Sequence, residues 1–165
     1  MPAFRTVIDS PIGPLGLEAD GDALSRVHFH AAAPASTASR EPLAPVIAEA
    51  CRQLAAYFAG DLIVFSVPLA PHGTPFQREV WTALQGIPYG ESRSYRQLAE
   101  AIGRPAAVRA VGAANGANPI PIIIPCHRVI GSNGRLVGFG GGLTVKRQLL
   151  DLEQGRLHLG GPGGF

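Results

Sequence analysis

Short apolar stretches broken by glycine and proline occupy the N-terminal part of the chain. They read FRTVIDS, PIGPLGLEAD and ALSRVHFH. Extended runs bounded by turn residues are typical of β-strands. The pattern therefore predicts an antiparallel meander, followed over residues 31–45 by a loop rich in alanine, proline and serine.

Helical spacing replaces this pattern at residue 45. Ile47, Cys51, Leu54 and Phe58 fall on one face of a helix that Gly60 ends. Because Cys51 belongs to this apolar face, we expect it to be a core cysteine.

Two later helices begin with a capping box, in which a Ser or Thr and a Gln three residues further on bond each other's backbone N–H groups. Thr74 and Gln77 form one such pair, and Ser94 and Gln97 form the other. A further helix is predicted from Pro105 to about residue 115, and a last one over about residues 143–154.

The helix after Ser94 and the helix after Pro105 are short and separated by a tight turn, which is typical of a helix-turn-helix. On the second of them, Arg109, Gly112, Ala113 and Gly116 share a face with little side chain. Such a face suits close contact with another molecule. It suits packing between two helices equally well, so both interpretations stay open.

The segment IPIIIPCHRVIG is apolar and short enough for a buried strand, although proline interrupts it. A glycine-rich loop, GSNGRLVGFGGG, follows it. Together these elements predict an α+β fold: a small N-terminal antiparallel β-sheet with a helix, packed on a mostly helical C-terminal domain that contains the helix-turn-helix. We expect the domains to span residues 1–70 and 71–165.

Composition indicates a globular protein, since 46% of the 165 residues are hydrophobic and 16% are charged. The net charge of +2 is unevenly spread. Residues 1–61 hold seven acidic and four basic residues, whereas the stretch from Arg104 to Arg147 holds basic residues and no acidic one. This asymmetry fits a surface for a phosphate backbone, and it also fits a charged surface without a partner.

Two cysteines do not make a disulfide framework, and the N-terminal sequence lacks the pattern of a signal peptide. No apolar run approaches the length of a membrane span. We therefore expect a cytoplasmic protein with no membrane partner.

The strongest chemical signal is Cys126, which follows Pro125 and precedes His127 and Arg128. A cysteine attacks as its thiolate, and a neighbouring histidine or cation favours that form. Glu153 borders the apolar side of the last helix, where a carboxylate is costly unless paired. A Cys126–His127–Glu153 relay would satisfy all three residues. Taken alone, a packed cysteine beside a surface histidine is the simpler interpretation.

The run PCHRVI resembles the active-site signature of the O6-alkylguanine-DNA alkyltransferases. The similarity extends through PFQREVW, IPYGESRSYRQLA, VRAVGAANGANPIPIIIPCHRVIG, GFGGG and KRQLLDLE, over roughly residues 74–155. It implies direct-reversal DNA repair: a single-turnover, suicide transfer of the alkyl group from O6-alkylguanine in duplex DNA, with O4-alkylthymine as a second candidate substrate. Minor-groove binding and base flipping would precede the transfer.

The resemblance also implies roles for individual residues. Cys126 would accept the alkyl group, His127 would take its proton through a water, and Glu153 would hold His127. The base would be bound by Tyr95, by the carbonyls of Cys126 and Val129, and by the N–H groups of Gly140 and Gly141. DNA would be contacted by Arg109 as an intercalating finger, and by Ala110 and Arg128. Asn118 would tether the helix-turn-helix to the active-site segment.

The family needs no cofactor for this chemistry, and the cysteines that bind zinc in some relatives have no counterpart here, so we expect no metal. We expect a monomer that binds double-stranded DNA either singly or cooperatively. Phe139 is a departure, since many relatives have tyrosine there, and we expect an altered rate or substrate preference.

Two other functions compete with this one. Alkyltransferase-like proteins bind such lesions without transfer, but they lack the acceptor cysteine. A cysteine hydrolase unrelated to DNA would leave Arg109 and the helix-turn-helix unexplained.

Overall fold

A computed structural model describes residues 3–31, 44–136 and 138–156. Most of the loop expected over 31–45 lies outside the described residues, as does the segment from residue 157 onward. The described chain divides into two compact units, one ending at Pro71 and the other beginning at His72. In the described part of the chain, no helix is long and apolar enough to cross a membrane.

The first unit is built on the predicted meander. Strands β1 (Ala3–Ile8), β2 (Leu15–Asp20) and β3 (Ala23–Phe29) form an antiparallel sheet in the order β1-β2-β3. Helix α1 (Pro45–Phe58) contacts all three strands. Its apolar face and the inward positions of the sheet form one core, because the side chains of Leu15, Leu17, Leu24, Ile47 and Leu54 are all fully or almost fully buried.

Cys51 differs from the expectation of a core cysteine. It is half-buried and lines a cavity of about 460 Å³ together with Leu54 and Phe58 of the same helix and Ile8 of β1. Burial raises the pKa of its thiol, so it is not an activated nucleophile.

The second unit is mostly helical. It contains α2 (Pro75–Leu84), α3 (Tyr95–Ala101), α4 (Val108–Gly116) and α5 (Leu143–Glu153). Both predicted capping boxes are formed. Thr74 Oγ1 accepts from the backbone N–H of Gln77 at 3.1 Å, and Ser94 Oγ accepts from that of Gln97 at 3.0 Å. Trp81 of α2 donates from Nε1 to the carbonyl of Ala114 at 2.8 Å, which joins α2 to α4.

The buried strand predicted for the apolar run is wrong over most of its length. Residues 120–124 are buried, but their backbone forms bends and turns rather than a strand. Cys126–Arg128 form a 3₁₀ turn. Only β5 (Val129–Ile130) is a strand, and it pairs in parallel with β4 (Arg93–Ser94). The physical reason is that Pro119, Pro121 and Pro125 remove the backbone donors that a strand needs for its ladder.

Candidate active site around Cys126

Cys126 begins the 3₁₀ turn and is only 5% exposed. Burial raises the pKa of its thiol to about 11, and a hydrogen bond from Asn118 and the charge of Lys146 offset only part of that rise. At neutral pH the resting residue is therefore a thiol. Attack by this sulfur requires a base that removes the proton as the substrate arrives.

His127 is the candidate for that base. Its Nε2 lies 2.7 Å from Oε2 of Glu153, and both side chains are almost completely buried. Burial lowers the pKa of His127, although Glu153 opposes the shift, so the imidazole is neutral. With Nε2 donating to the carboxylate, Nδ1 carries the lone pair, and this atom has no hydrogen-bond partner among the described residues.

Glu153 is held by two residues. Arg128 donates from Nε to Oε1 at 2.8 Å and from Nη2 to Oε2 at 3.0 Å, in addition to the His127 contact. Burial alone would raise the pKa of Glu153, but the hydrogen bonds and charges of His127 and Arg128 outweigh burial and lower it to about 2. The carboxylate therefore stays ionised and fixes the orientation of the imidazole.

The placement of Arg128 corrects the expectation that it contacts DNA. Its side chain is 8% exposed, and Nη1 donates to the carbonyl of Ile87 at 2.7 Å. The guanidinium also lies 5.7 Å from the centre of the Tyr89 ring. A guanidinium occupied in this way inside the unit is not available to a phosphate. Lys146 is also fully buried, so it is not part of the basic surface that the charge count suggested.

The loop before β4 completes the surroundings of Glu153. Gly90 has φ +82° and its N–H lies 3.4 Å from Oε1 of Glu153. A Cβ at Gly90 would approach the Glu153 carbonyl to 3.2 Å, so both conformation and space favour glycine. Sequence reasoning did not identify this contact. The available signal was a glycine between Tyr89 and Glu91, at the edge of a predicted helix.

A cavity of about 460 Å³ lies on the α4 side of this cluster. Its walls are two aromatic side chains, one amide and four glycines: Tyr95, Phe139, Asn115, Gly112, Gly116, Gly138 and Gly140. Burial raises the pKa of the Tyr95 hydroxyl, and a charge on Cys126 would raise it further, so Tyr95 is a protonated donor. The size and lining fit a small planar ligand.

The remaining predicted base-binding residues are placed unevenly around this cavity. Gly140 belongs to its wall, whereas Val129 and Gly141 are buried and not part of the lining. Asn118 donates from Nδ2 to the carbonyl of Ile124 at 2.8 Å and accepts from the N–H of Ile120 at 3.0 Å. It therefore ties the end of α4 to the turn that leads into Cys126. Asn115, which sequence reasoning missed, lies one turn earlier on α4.

The expected small-residue face of α4 is open. Arg109, Ala113 and Gly116 are exposed, whereas Gly112 is half-buried next to the Tyr95 ring. Arg109 makes no ion pair with the described residues. Helix packing among the described residues therefore leaves most of this face uncovered. As for metals, no group of three or more His, Cys, Asp or Glu side chains in the described ranges could hold an ion.

Comparison with known proteins gives a consistent assignment. The profile of the 6-O-methylguanine DNA methyltransferase DNA binding domain matches residues 75–155, and that of the ribonuclease-like domain of the same protein matches residues 3–71. The methylated-DNA–protein-cysteine methyltransferase of Methanosarcina acetivorans is 50% identical over 91% of this chain and 97% of its own. That of Mycobacterium tuberculosis is 52% identical over 93% of both chains. The crystal structure of Mycobacterium tuberculosis OGT in complex with DNA superposes with a TM-score of 0.80 at 51% identity, covering 92% of this chain and 93% of that one.

Proposed function

The chain belongs to the 6-O-methylguanine-DNA methyltransferase family, and from that premise we propose that it moves the alkyl group of O6-alkylguanine in duplex DNA irreversibly onto Sγ of Cys126. Its activity is that of a methylated-DNA–protein-cysteine methyltransferase, a DNA-repair enzyme. The observation that carries the assignment to Cys126 is the buried His127–Glu153 pair, whose histidine directly follows this cysteine in the same 3₁₀ turn.

The transfer follows from these groups. Nδ1 of His127 takes the proton of Sγ through a water, and Glu153 stabilises the imidazolium. The thiolate sulfur attacks the alkyl carbon, so that an S–C bond forms while the C–O6 bond breaks and its electron pair passes to the guanine. The guanine takes up one proton as this bond breaks, which balances the proton that Sγ loses. The thioether has no leaving route, so each molecule acts once.

The lesion must leave the base stack to reach a sulfur that is 5% exposed. We assign the flipped guanine to the cavity beside α4, whose volume of about 460 Å³ accommodates a base. Tyr95, in the cavity wall, is the proposed donor to the ring. The resemblance to the family supports the carbonyls of Cys126 and Val129 as acceptors from the exocyclic amine, although Val129 is not part of the lining. The N–H groups of Gly140 and Gly141 steady O6 as it leaves. An O4-alkylthymine fits the same chemistry with fewer contacts.

DNA binding is assigned to α3 and α4 acting as a helix-turn-helix. The small residues around Ala110 let α4 approach the minor groove, and Arg109 fills the gap that the extruded base leaves. The related Mycobacterium tuberculosis OGT was crystallised in complex with DNA, which supports a DNA partner. Every residue of the relay comes from one unit, so a monomer suffices.

The test counts methyl groups. Duplex DNA with a labelled methyl on guanine O6 is titrated with the wild-type protein, with Cys126→Ala, and with Cys51→Ala as the matched control. We expect a plateau near one label per protein for wild type and Cys51→Ala, and none for Cys126→Ala. Binding without transfer would instead indicate a damage-recognition protein, and continuous release of methyl would indicate a true catalyst.

A further inference from the structure

Lys146 is the only lysine of the chain, because the other thirteen of its fourteen Lys and Arg positions carry arginine. It is also fully buried, with an exposed fraction of 0%. Burying a cation is costly, so its presence here needs an explanation in what surrounds it. Lysine differs from arginine in being a compact point charge whose pKa responds to its surroundings.

Helix α5 presents Lys146 and Glu153 on the same face. The two residues are seven positions apart, which is close to two full turns and about 10 Å along the helix axis. Glu153 contacts the 3₁₀ turn Cys126–Arg128 through His127, with Oε2 at 2.7 Å from Nε2, and α5 packs against this turn. Lys146 therefore projects from α5 on the side where the nucleophile lies.

The charge of Lys146 acts on both reactive residues of the turn. It lowers the pKa of the Cys126 thiol and that of the His127 imidazole. The effect is mutual, since burial lowers the pKa of Lys146 and a charge on Cys126 raises it. The other charged groups at the turn, Glu153 and Arg128, act on the same imidazole. Burial thus disfavours thiolate and ammonium singly, and each favours the other.

We propose that Lys146 is an electrostatic partner of the nucleophile, whose ammonium stabilises the thiolate of Cys126 during alkyl transfer. The inference rests on the proposed function. His127 takes the proton of Sγ, and the negative charge stays on sulfur until the S–C bond forms and the electron pair of the C–O6 bond passes to the guanine. Because Lys146 offsets a charge that exists only in this interval, it accelerates the attack without contributing to DNA binding.

Two reactions of Cys126 test the proposal. One is single-turnover transfer from duplex DNA with O6-methylguanine at pH 7. The other is alkylation by iodoacetamide without DNA, from about pH 6.5 to about pH 9.5, in a Cys51→Ala background that leaves Cys126 as the only cysteine. The wild-type side chain is compared with two neutral replacements, Lys146→Met and Lys146→Gln, and with Arg147→Met, which removes the neighbouring exposed cation. Thermal melting identifies the folded variants.

A measurement without substitution at Lys146 accompanies them. Since the chain has one lysine, a ¹³Cε-lysine label gives one NMR signal, and the pH dependence of that signal reports the pKa of Lys146. In the protein with Lys146, the iodoacetamide rate should rise about tenfold per pH unit below this pKa and less steeply above it, because the thiolate loses its cation.

An opposite charge nearby typically shifts a pKa by about 1–3, so each neutral variant should lose about tenfold or more in both reactions at pH 7, and Arg147→Met should lose nothing. The loss with iodoacetamide should shrink as pH rises through the pKa of Lys146. A loss that stays constant with pH would mean a merely structural role and would overturn the inference, as would no loss. If the protein transferred no methyl but the iodoacetamide results held, the proposed function would be wrong and the pairing of Lys146 with Cys126 would stand.

Discussion

Arg128 and Glu153 form a two-point ion pair inside the second unit, with Nε and Nη2 of the guanidinium at 2.8 and 3.0 Å from the two carboxylate oxygens. Neither side chain is more than 8% exposed. Because Glu153 also binds the imidazole of His127, the pair links the stability of the unit to the protonation state of the base. Arg128 is in this sense a positioning residue that acts through Glu153.

Replacing Arg128 with methionine should destabilise the protein strongly. The substitution keeps the length of the side chain but leaves a buried carboxylate without its cation, for which a loss of about 3–5 kcal/mol is typical. Urea denaturation measures it. The control is Arg147→Met, since Arg147 lies 3.9 Å from Asp151 at an exposed position, and a change within about 0.5 kcal/mol is expected there. Similar losses of unfolding free energy for Arg128→Met and Arg147→Met would show that burial of the Arg128–Glu153 pair is unimportant.

Stability should fall in acid, and the direction follows from two groups. The pKa of Glu153 is lowered in the folded state from 4.5 to about 2, and that of His127 is lowered from 6.5. In each case the unfolded chain binds protons first as pH falls, so stability present at neutral pH is lost below pH 6.5 for His127 and between about pH 4.5 and 2 for Glu153.

The contribution of Glu153 is on the order of 3 kcal/mol, from the size of its shift. Denaturation curves measured from pH 7 to pH 3 check this prediction. The double variant Arg128→Met/Glu153→Leu removes the titrating carboxylate and its partner together, and its stability should depend less steeply on pH below about 4.5. An equally steep fall in both proteins would assign the acid sensitivity to other groups.

Local signals were sufficient to predict much of this fold. Thr74 with Gln77 and Ser94 with Gln97 mark helix starts because each capping box involves only neighbouring residues. The three strands were predictable for a similar reason, since their turns carry glycine and proline. The resemblance to a family then indicated that Cys126, His127 and Glu153 belong together, and the structure brings His127 and Glu153 into contact.

Tertiary contacts decide what local patterns do not. Arg128 was predicted to contact DNA, but its hydrogen bonds to Glu153 of α5 and to the Ile87 carbonyl place it inside the unit. The apolar residues at 120–124 suggested a strand, and their burial was predictable but their path was not. Asn115 carries no sequence signal of its own, because only the cavity and its partners distinguish it from Asn118.

Alanine substitution at two glycines should have opposite effects on stability. A Cβ at Gly73 would overlap the ring of Trp81, which cannot move away because its Nε1 is bonded to Ala114. We expect Gly73→Ala to destabilise by about 1–3 kcal/mol. At Gly112, inside α4, a Cβ meets the Tyr95 ring at an ordinary 3.8 Å, so Gly112→Ala should stabilise by up to about 1 kcal/mol. Thermal melting distinguishes the two, and a destabilised Gly112→Ala would mean that α4 needs the bare backbone.

Arg109 should matter only for lesions within a duplex. If its side chain fills the gap left by the flipped base, Arg109→Ala should slow transfer from duplex DNA by about tenfold or more, since base extrusion is then unsupported. Reaction with the free base O6-benzylguanine needs no extrusion and should be unchanged. Arg104→Ala is the matched control, because Arg104 is exposed and pairs with Glu79 at 3.3 Å. A slower reaction of Arg109→Ala with the free base would place Arg109 in the chemistry rather than in DNA binding.

Phe139 gives the last prediction, because it lies in the cavity wall beside Gly138 and Gly140. Its ring supplies packing but no donor for the oxygen that leaves. Phe139→Tyr adds one hydroxyl there, and a hydrogen bond made only as charge develops on O6 should raise the transfer rate by up to about tenfold. Single-turnover rates with methyl and benzyl adducts measure the effect. Tyr95→Phe removes a hydroxyl from the same cavity and should slow both reactions. Unchanged rates for Phe139→Tyr with both adducts would show that O6 leaves without help from this wall.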